Sequence, residues 1–242
     1  MQIFRFKKFN VVNERSAMKV NTDGVLLGAA MTLSPSDRTL LDIGTGTGTI
    51  ALMAAQRLAD QGNAAADIHI DAIDIDEPSV SEAADNFNQS PWADMLHAHN
   101  LPLDKFESTV KYDLIFSNPP YFEDSLTAPD ERKSTARHTS EGLSDRDIFD
   151  FAQDYLTSNG RVALVLPADQ EMAICRYARM SGMHLLKVLR VRTVPRKAPS
   201  RIIIEFSRQR VQNIDDAILT IQNEGQYTQE YLSLTKEFYL FA

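Results

Sequence analysis

Two short segments carry residue types that belong together in group-transfer chemistry. The first is Asp42-Ile43-Gly44-Thr45-Gly46-Thr47-Gly48-Thr49. Alternating glycines let backbone approach a ligand where a Cβ would collide. A helix opening behind the loop would offer its free N–H groups and positive end. The spacing departs from the dinucleotide fingerprint Gly-x-Gly-x-x-Gly, because Thr49 stands at its last glycine, and no Gly-Lys-Ser/Thr follows for a triphosphate. A fixed anion at Asp42 would repel a pyrophosphate and attract a cation such as a methionyl ammonium. Asp74, closing Ala72-Ile73-Asp74, suits both hydroxyls of a ribose, with Asp76 and Glu77 as neighbouring alternatives. A nucleoside with a cationic amino-acid tail is S-adenosylmethionine, the expected cofactor. The bland alternative is a turn that only packs strand on helix.

The second segment is Asn118-Pro119-Pro120-Tyr121, after the apolar run Tyr112–Ser117. Prolines fix the backbone and remove two N–H donors. The Asn118 amide oxygen and the Pro119 carbonyl then make two convergent acceptors for a planar –NH2 group. Gripping both N–H groups localises the nitrogen lone pair, which helps most in the transition state. Tyr121 suits stacking on a flat substrate. Asn118, Pro119 and Tyr121 are thus the catalytic candidates, with no titrating base and no metal needed. The alternative is a rigid turn with a buried tyrosine.

Strands alternating with helices must position these segments. The pattern predicts strands at Thr39–Ile43, Ile68–Asp76, Met95–Ala98, Tyr112–Ser117 and Arg161–Leu166. It predicts helices at Ile50–Leu58, from Pro78 to Phe87, Ser144–Leu156 with a capping box at Ser144 and Asp147, and Ala168–Met180. Two β-rich stretches, Leu185–Val194 and Ile202–Phe206, would add an antiparallel C-terminal edge. The fold class is α/β, a Rossmann-like doubly wound, mostly parallel sheet over residues 36–242, with residues 1–35 as a small N-terminal appendage.

The chain has 242 residues, 43% of them hydrophobic and 24% charged, which excludes disorder as its main state. One cysteine, Cys175, excludes an internal disulfide and a four-cysteine zinc site, and it reads as a small packing group. His97 and His99 share a strand face without a completing ligand cluster, and Trp92 reads as a packing or surface aromatic. There is no signal-like or membrane-spanning apolar run, so a cytoplasmic protein is expected. The net charge of −8 hides local excess: +4 in residues 1–20, +7 in residues 187–210 and −12 in residues 60–125. A polyanion feels the local field.

The two site motifs together resemble class I S-adenosylmethionine-dependent amino methyltransferases. Lys19–Gly28, Asn118–Phe122 followed by Ala136-Arg137-His138, and the tail from Tyr227–Tyr231 to Phe238–Leu240 resemble the tRNA1(Val) (adenine(37)-N6)-methyltransferase family, over nearly the whole chain. That resemblance implies a donor loop of Asp42, Gly44 and Gly46, a ribose contact at Asp74, an adenine contact at Asn100, where the family's commoner residue is Asp, and closure by Lys19, Asn21 and Thr22. Asn118 then touches both cofactor and target amine. It implies tRNA, through its anticodon stem-loop, as the partner, with no obligate protein partner. Arg132, Lys133, Arg137, His138, Arg196, Lys197 and Arg201 are the expected RNA contacts, and a 122–142 loop would close over the substrate. The alternatives are a protein-glutamine N5-methyltransferase, against which the short stretch before the first core strand counts, and a non-catalytic tRNA-binding factor.

Overall fold

The computed structural model describes residues 2–120 and 143–242. The chain begins with a hairpin of β1 (Ile3–Arg5) and β2 (Asn10–Val12), then α1 (Thr22–Ala30). Next come β3 (Thr39–Ile43), α2 (Thr49–Asp60), β4 (His69–Asp74), α3 (Glu77–Asn88), β5 (Leu96–Asn100) and β6 (Tyr112–Ser117). α4 (Asp145–Tyr155), β7 (Leu156–Pro167), α5 (Glu171–Met180), β8 (His184–Arg192), β9 (Arg201–Ser207) and β10 (Asp215–Thr220) follow. A small hairpin, β11 (Gln222–Asn223) and β12 (Gln226–Tyr227), precedes α6 (Gln229–Thr235).

Eight strands form one sheet in the order β10-β8-β9-β7-β6-β3-β4-β5. Strand alternation divides two cores: Leu40 faces one side with α1, α2 and α3 residues such as Leu26, Leu52 and Phe87, and Leu41 faces the other with Ile148, Phe149 and Ile174 of α4 and α5. This is the doubly wound, mostly parallel architecture read from the sequence. The predicted antiparallel element is more internal than an edge. β9 runs antiparallel between β7 and β8, and the outermost strand, β10, is parallel to β8. Ile202, Ile203 and Ile204 are fully buried, as befits a strand paired on both edges and covered on both faces.

Local signals held where caps were explicit. Ser144 caps α4 in a capping box with Asp147, and Asp76 caps α3 with Pro78 in its first turn. The third strand runs two residues beyond its predicted end, to Asn100, and the strand predicted to start at Arg161 begins at Leu156. The division expected at residue 35 falls in the turn after α1. α1 packs in the same core as α2, where a Cβ on Gly28 would stand 2.7 Å from Met53 Sδ.

Candidate active site

β3, β4 and β6 end side by side, with Ile43 in register with both Ile73 and Ser117. The Ser117 hydroxyl donates to the Ile43 carbonyl at 2.6 Å, which ties the acceptor segment to the glycine loop. Gly44, Gly46 and Gly48 all adopt left-handed backbone, with φ of 74°, 55° and 78°. The loop is pinned by its own amides: Gly44 and Thr45 donate to the Ile73 carbonyl, and Gly46 donates to Asp74 Oδ2 at 2.9 Å. Asp74 Oδ1 accepts the Asp76 amide at 3.0 Å, so this acid shapes the loop from the neighbouring strand.

A cleft of about 320 Å³ opens above this edge. The glycine loop, Asp74, Asp76 and Asn118 line it on one side, and Ser16 to Asn21 on the other. Ile75, Leu101, Leu103 and Leu143 give it apolar walls, and Ile75 is 67% exposed there. A mostly apolar slot with a few placed polar groups is what a flat heterocycle needs. Sequence reasoning missed these apolar residues, because exposed aliphatics at strand ends carry no motif.

The wall of residues 16–21 is held from below. Glu82 of α3 is fully buried, and its carboxylate accepts the amides of Glu14, Arg15 and Ser16 at 2.7, 2.8 and 2.9 Å. The Ser79 hydroxyl donates to Ser16 Oγ at 2.9 Å. Sequence reading did not single out Glu82. Its signal was a charged residue on the apolar face of an amphipathic helix.

Of the predicted cofactor residues, Lys19, Asn21, Gly44, Gly46, Asp74 and Asn118 line the cleft, whereas Thr22, Asp42 and Asn100 do not. Asn21 caps α1 by accepting the Gly24 amide, and Lys19 Nζ donates to the carbonyls of Glu14 and Ser16. Asn100 is exposed and donates to the Asp74 carbonyl at 3.1 Å. Asp42 lies fully buried beneath the loop, where Oδ2 accepts the Thr45 hydroxyl at 2.8 Å. Burial, then the nearby Asp74 charge, push its carboxyl up to about 7, against the Thr45 hydrogen bond and the Ala51 amide. Its role in this geometry is to brace the loop. Asn118 is 8% exposed and donates Nδ2–H to Met18 Sδ at 3.8 Å, a contact on the donor end of its amide. Pro119 is buried and Pro120 faces the cleft. Tyr121, Arg132, Lys133, Arg137, His138 and the 122–142 loop lie outside the described residues. His99 Nε2 meets Asp71 Oδ1 at 2.7 Å and His97 stacks on His69. Among the described residues no three ligands are grouped for a metal.

The family model of the methyltransferase small domain matches residues 16–181. A tRNA1(Val) (adenine(37)-N6)-methyltransferase of Flavobacterium psychrophilum is 38% identical over 98% of this chain and 99% of its own length. The chain belongs to that family. A relative of the same description from Parabacteroides distasonis is 40% identical over 98% of this chain and 97% of its own. The fold is also that of a predicted O-methyltransferase of Agrobacterium tumefaciens, with a TM-score of 0.65 at 13% identity, covering 89% of this chain and 96% of that one. As a member of this family the chain is a methyltransferase and S-adenosylmethionine is its cofactor. The cleft fits that group: left-handed glycines leave room at its floor, Asp74 offers a carboxylate, and Ile75, Leu101 and Leu103 offer a dry wall.

Proposed function

We propose that this methyltransferase acts on the N6 amino group of adenine 37 in the anticodon loop of tRNA1(Val), in the cytoplasm. The observation that carries the reading is the placement of Asn118, which lines the cleft directly after β6, where Ser117 is hydrogen-bonded to the Ile43 carbonyl at the start of the glycine loop, with Pro119 next in the chain. The family relatives' names support the same substrate. The bound cofactor supplies an electrophilic methyl group on a sulfonium. The chain's own part is to hold the adenine amine: the Asn118 amide oxygen and the Pro119 carbonyl accept its two N–H groups, and Tyr121 covers the base. Neither acceptor titrates: they grip the two N–H groups and favour a localised lone pair, and one of those protons is lost to solvent once the nitrogen carries the methyl group and has become strongly acidic. Lys19, Asn21, Gly44, Gly46 and Asp74 are the proposed cofactor contacts. Thr22, Asp42 and Asn100 would act from behind them. An anticodon-loop base is already unpaired, which lowers the cost of extruding it. Arg196, Lys197 and Arg201, with Arg132, Lys133, Arg137 and His138, are the proposed RNA contacts. Among the described residues no helix is long and apolar enough to cross a membrane.

The test is incubation with labelled cofactor and total tRNA, followed by digestion to nucleosides. Label in N6-methyladenosine is the expected result, and nuclease mapping of the labelled, undigested tRNA should place it at position 37 of tRNA1(Val). Label confined to protein, as for a glutamine N5 target, would overturn the reading.

A further inference from the structure

The sequence holds two basic segments, and the fold engages them differently. In residues 1–20, Lys7 Nζ donates to the carbonyls of Lys236 and Ala242, Lys8 pairs with Asp60, Arg15 pairs with Asp85, and Lys19 donates to two local carbonyls. In residues 187–210, Lys187 reaches the Ala30 carbonyl and Glu205, Arg190 is held by Glu171 and Asp216, Arg201 pairs with Asp23, and Arg208 donates to the Ala152 and Gln153 carbonyls. Arg196 and Lys197 are exposed and have no acidic partner among the described residues; the same is true of Arg5 in the first segment and of Arg210, whose Nε reaches His184, in the second, but only Arg196 and Lys197 share one turn.

Both lie in the 193–200 turn between β8 and β9. The register places that turn at the sheet edge that carries the cleft. Ser117 pairs with Leu164, Leu164 with Ile204, and Arg201, three residues further out, pairs with Pro167. β10 ends at the same edge, with Thr220 beside Arg192. The Ile221 and Gln222 amides donate to the Arg192 and Thr193 carbonyls and carry this alignment into the β11–β12 hairpin. Its two-residue turn puts Glu224 at φ 49°, the one non-glycine residue with positive φ among the described residues. The hairpin ends in Tyr227, which opens a ladder of rings. Tyr231 stacks on Tyr227 at 5.0 Å, Tyr227 on Phe241 at 5.0 Å, and Phe241 on Tyr239 at 4.7 Å. Tyr227 and Phe241 are exposed. The acids of β10, Asp215 and Asp216, sit at its opposite end, near Lys187 and Arg190.

We propose that this edge is an RNA-docking surface: Arg196 and Lys197 take backbone phosphates, and the Tyr227–Phe241 ladder stacks an unpaired base of the strand that feeds the cleft. The inference rests on RNA being the substrate. β10 stands four strand spacings from β6, about 19 Å away, so the stacked base is not the methylated one. Exposed cations and exposed aromatic rings near the same sheet edge are a combination that holds single-stranded nucleic acid.

The test is tRNA affinity, read by fluorescence anisotropy across a salt series on the full chain. The Arg196→Ala/Lys197→Ala variant should bind about tenfold more weakly at low salt, with the slope of log affinity against log salt reduced by about two. Tyr227→Ala should weaken binding by roughly fivefold or more, and Tyr227→Phe should restore it. Cofactor affinity should stay within about twofold of the parent in every variant. Parental affinity and salt slope in both variants, with melting temperature intact, would overturn the proposal. The same holds if Tyr227→Phe binds as poorly as Tyr227→Ala. If tRNA binds through these residues but receives no label, the methylation reading fails and the surface stands. If tRNA is methylated and the variants bind like the parent, the surface fails and the methylation reading stands.

Discussion

Asn118 directly follows β6, whose last residue, Ser117, is bonded through its hydroxyl to the Ile43 carbonyl of β3, so the backbone that carries the Asn118 side chain is fixed at the cleft. Asn118→Ala should lower kcat on tRNA by roughly 100- to 1,000-fold, the usual loss for one transition-state hydrogen-bonding group. Cofactor affinity by calorimetry should change by about threefold or less, because the Gly44–Gly48 loop and Asp74 do not depend on the Asn118 side chain. Asp42 makes a prediction about pH. Its folded carboxyl sits at about 7 against an ordinary value of 3.8. The folded state therefore binds a proton there that the unfolded state has lost. The stability tied to that proton is complete below about pH 4, falls as pH rises, and is gone above about pH 7. Asp42→Asn, which keeps an acceptor for Thr45, should remove this dependence. The melting-temperature difference between variant and parent should grow in the variant's favour from pH 4 to 7 and then level off. A constant difference would mean that Asp42 is ionised throughout. The Asp-x-Gly-x-Gly-x-Gly spacing was readable as a ligand loop, but which face of the loop Asp42 serves was not. A strand residue's burial depends on what covers the strand end.

At the scale of elements, the loop's shape depends on α3. Gly48 touches it most closely: a Cβ there would stand 2.4 Å from Phe87 Cε1, on backbone with φ of 78°. Gly48→Ala should cost about 2–4 kcal/mol in denaturant unfolding, the sum of left-handed strain and overpacking. α3 also holds the opposite wall through Glu82. Glu82→Gln replaces one acceptor oxygen by an NH2 group facing the Ser16 amide, donor against donor. It should cost about 1.5–3 kcal/mol of stability and weaken cofactor binding several-fold, while an Asn118→Ala variant holds cofactor normally. The capped helices and the apolar strands were legible from local chemistry. α1, β10 and the small hairpins were not, because their amphipathic signal is weak or absent: α1 is buried nearly all round and β10 is exposed over most of its length.

Over the whole molecule, a net charge of −8 coexists with RNA as the proposed substrate because charge is felt locally: the fold ties Lys8, Arg15 and Arg190 to acids and leaves Arg196 and Lys197 exposed at the edge that carries the cleft. Lys8→Ala and Arg15→Ala should therefore leave tRNA affinity within about twofold, in contrast to Arg196 and Lys197. The same anisotropy titration decides it. The sequence by itself determined the strand–helix alternation, the glycine loop, the Asn118-Pro119 motif after a strand and, through resemblance, the family. All of these rest on contacts within a few residues or on motifs read as strings. Only the tertiary structure decided which basic residues stay uncommitted, where the cleft finds its apolar walls, and that Glu82 and Asp42 support the site from behind. Charge pairing and burial are set by residues that meet across long sequence separations, such as Arg201 with Asp23 or Glu82 with Ser16, and no local pattern encodes those meetings.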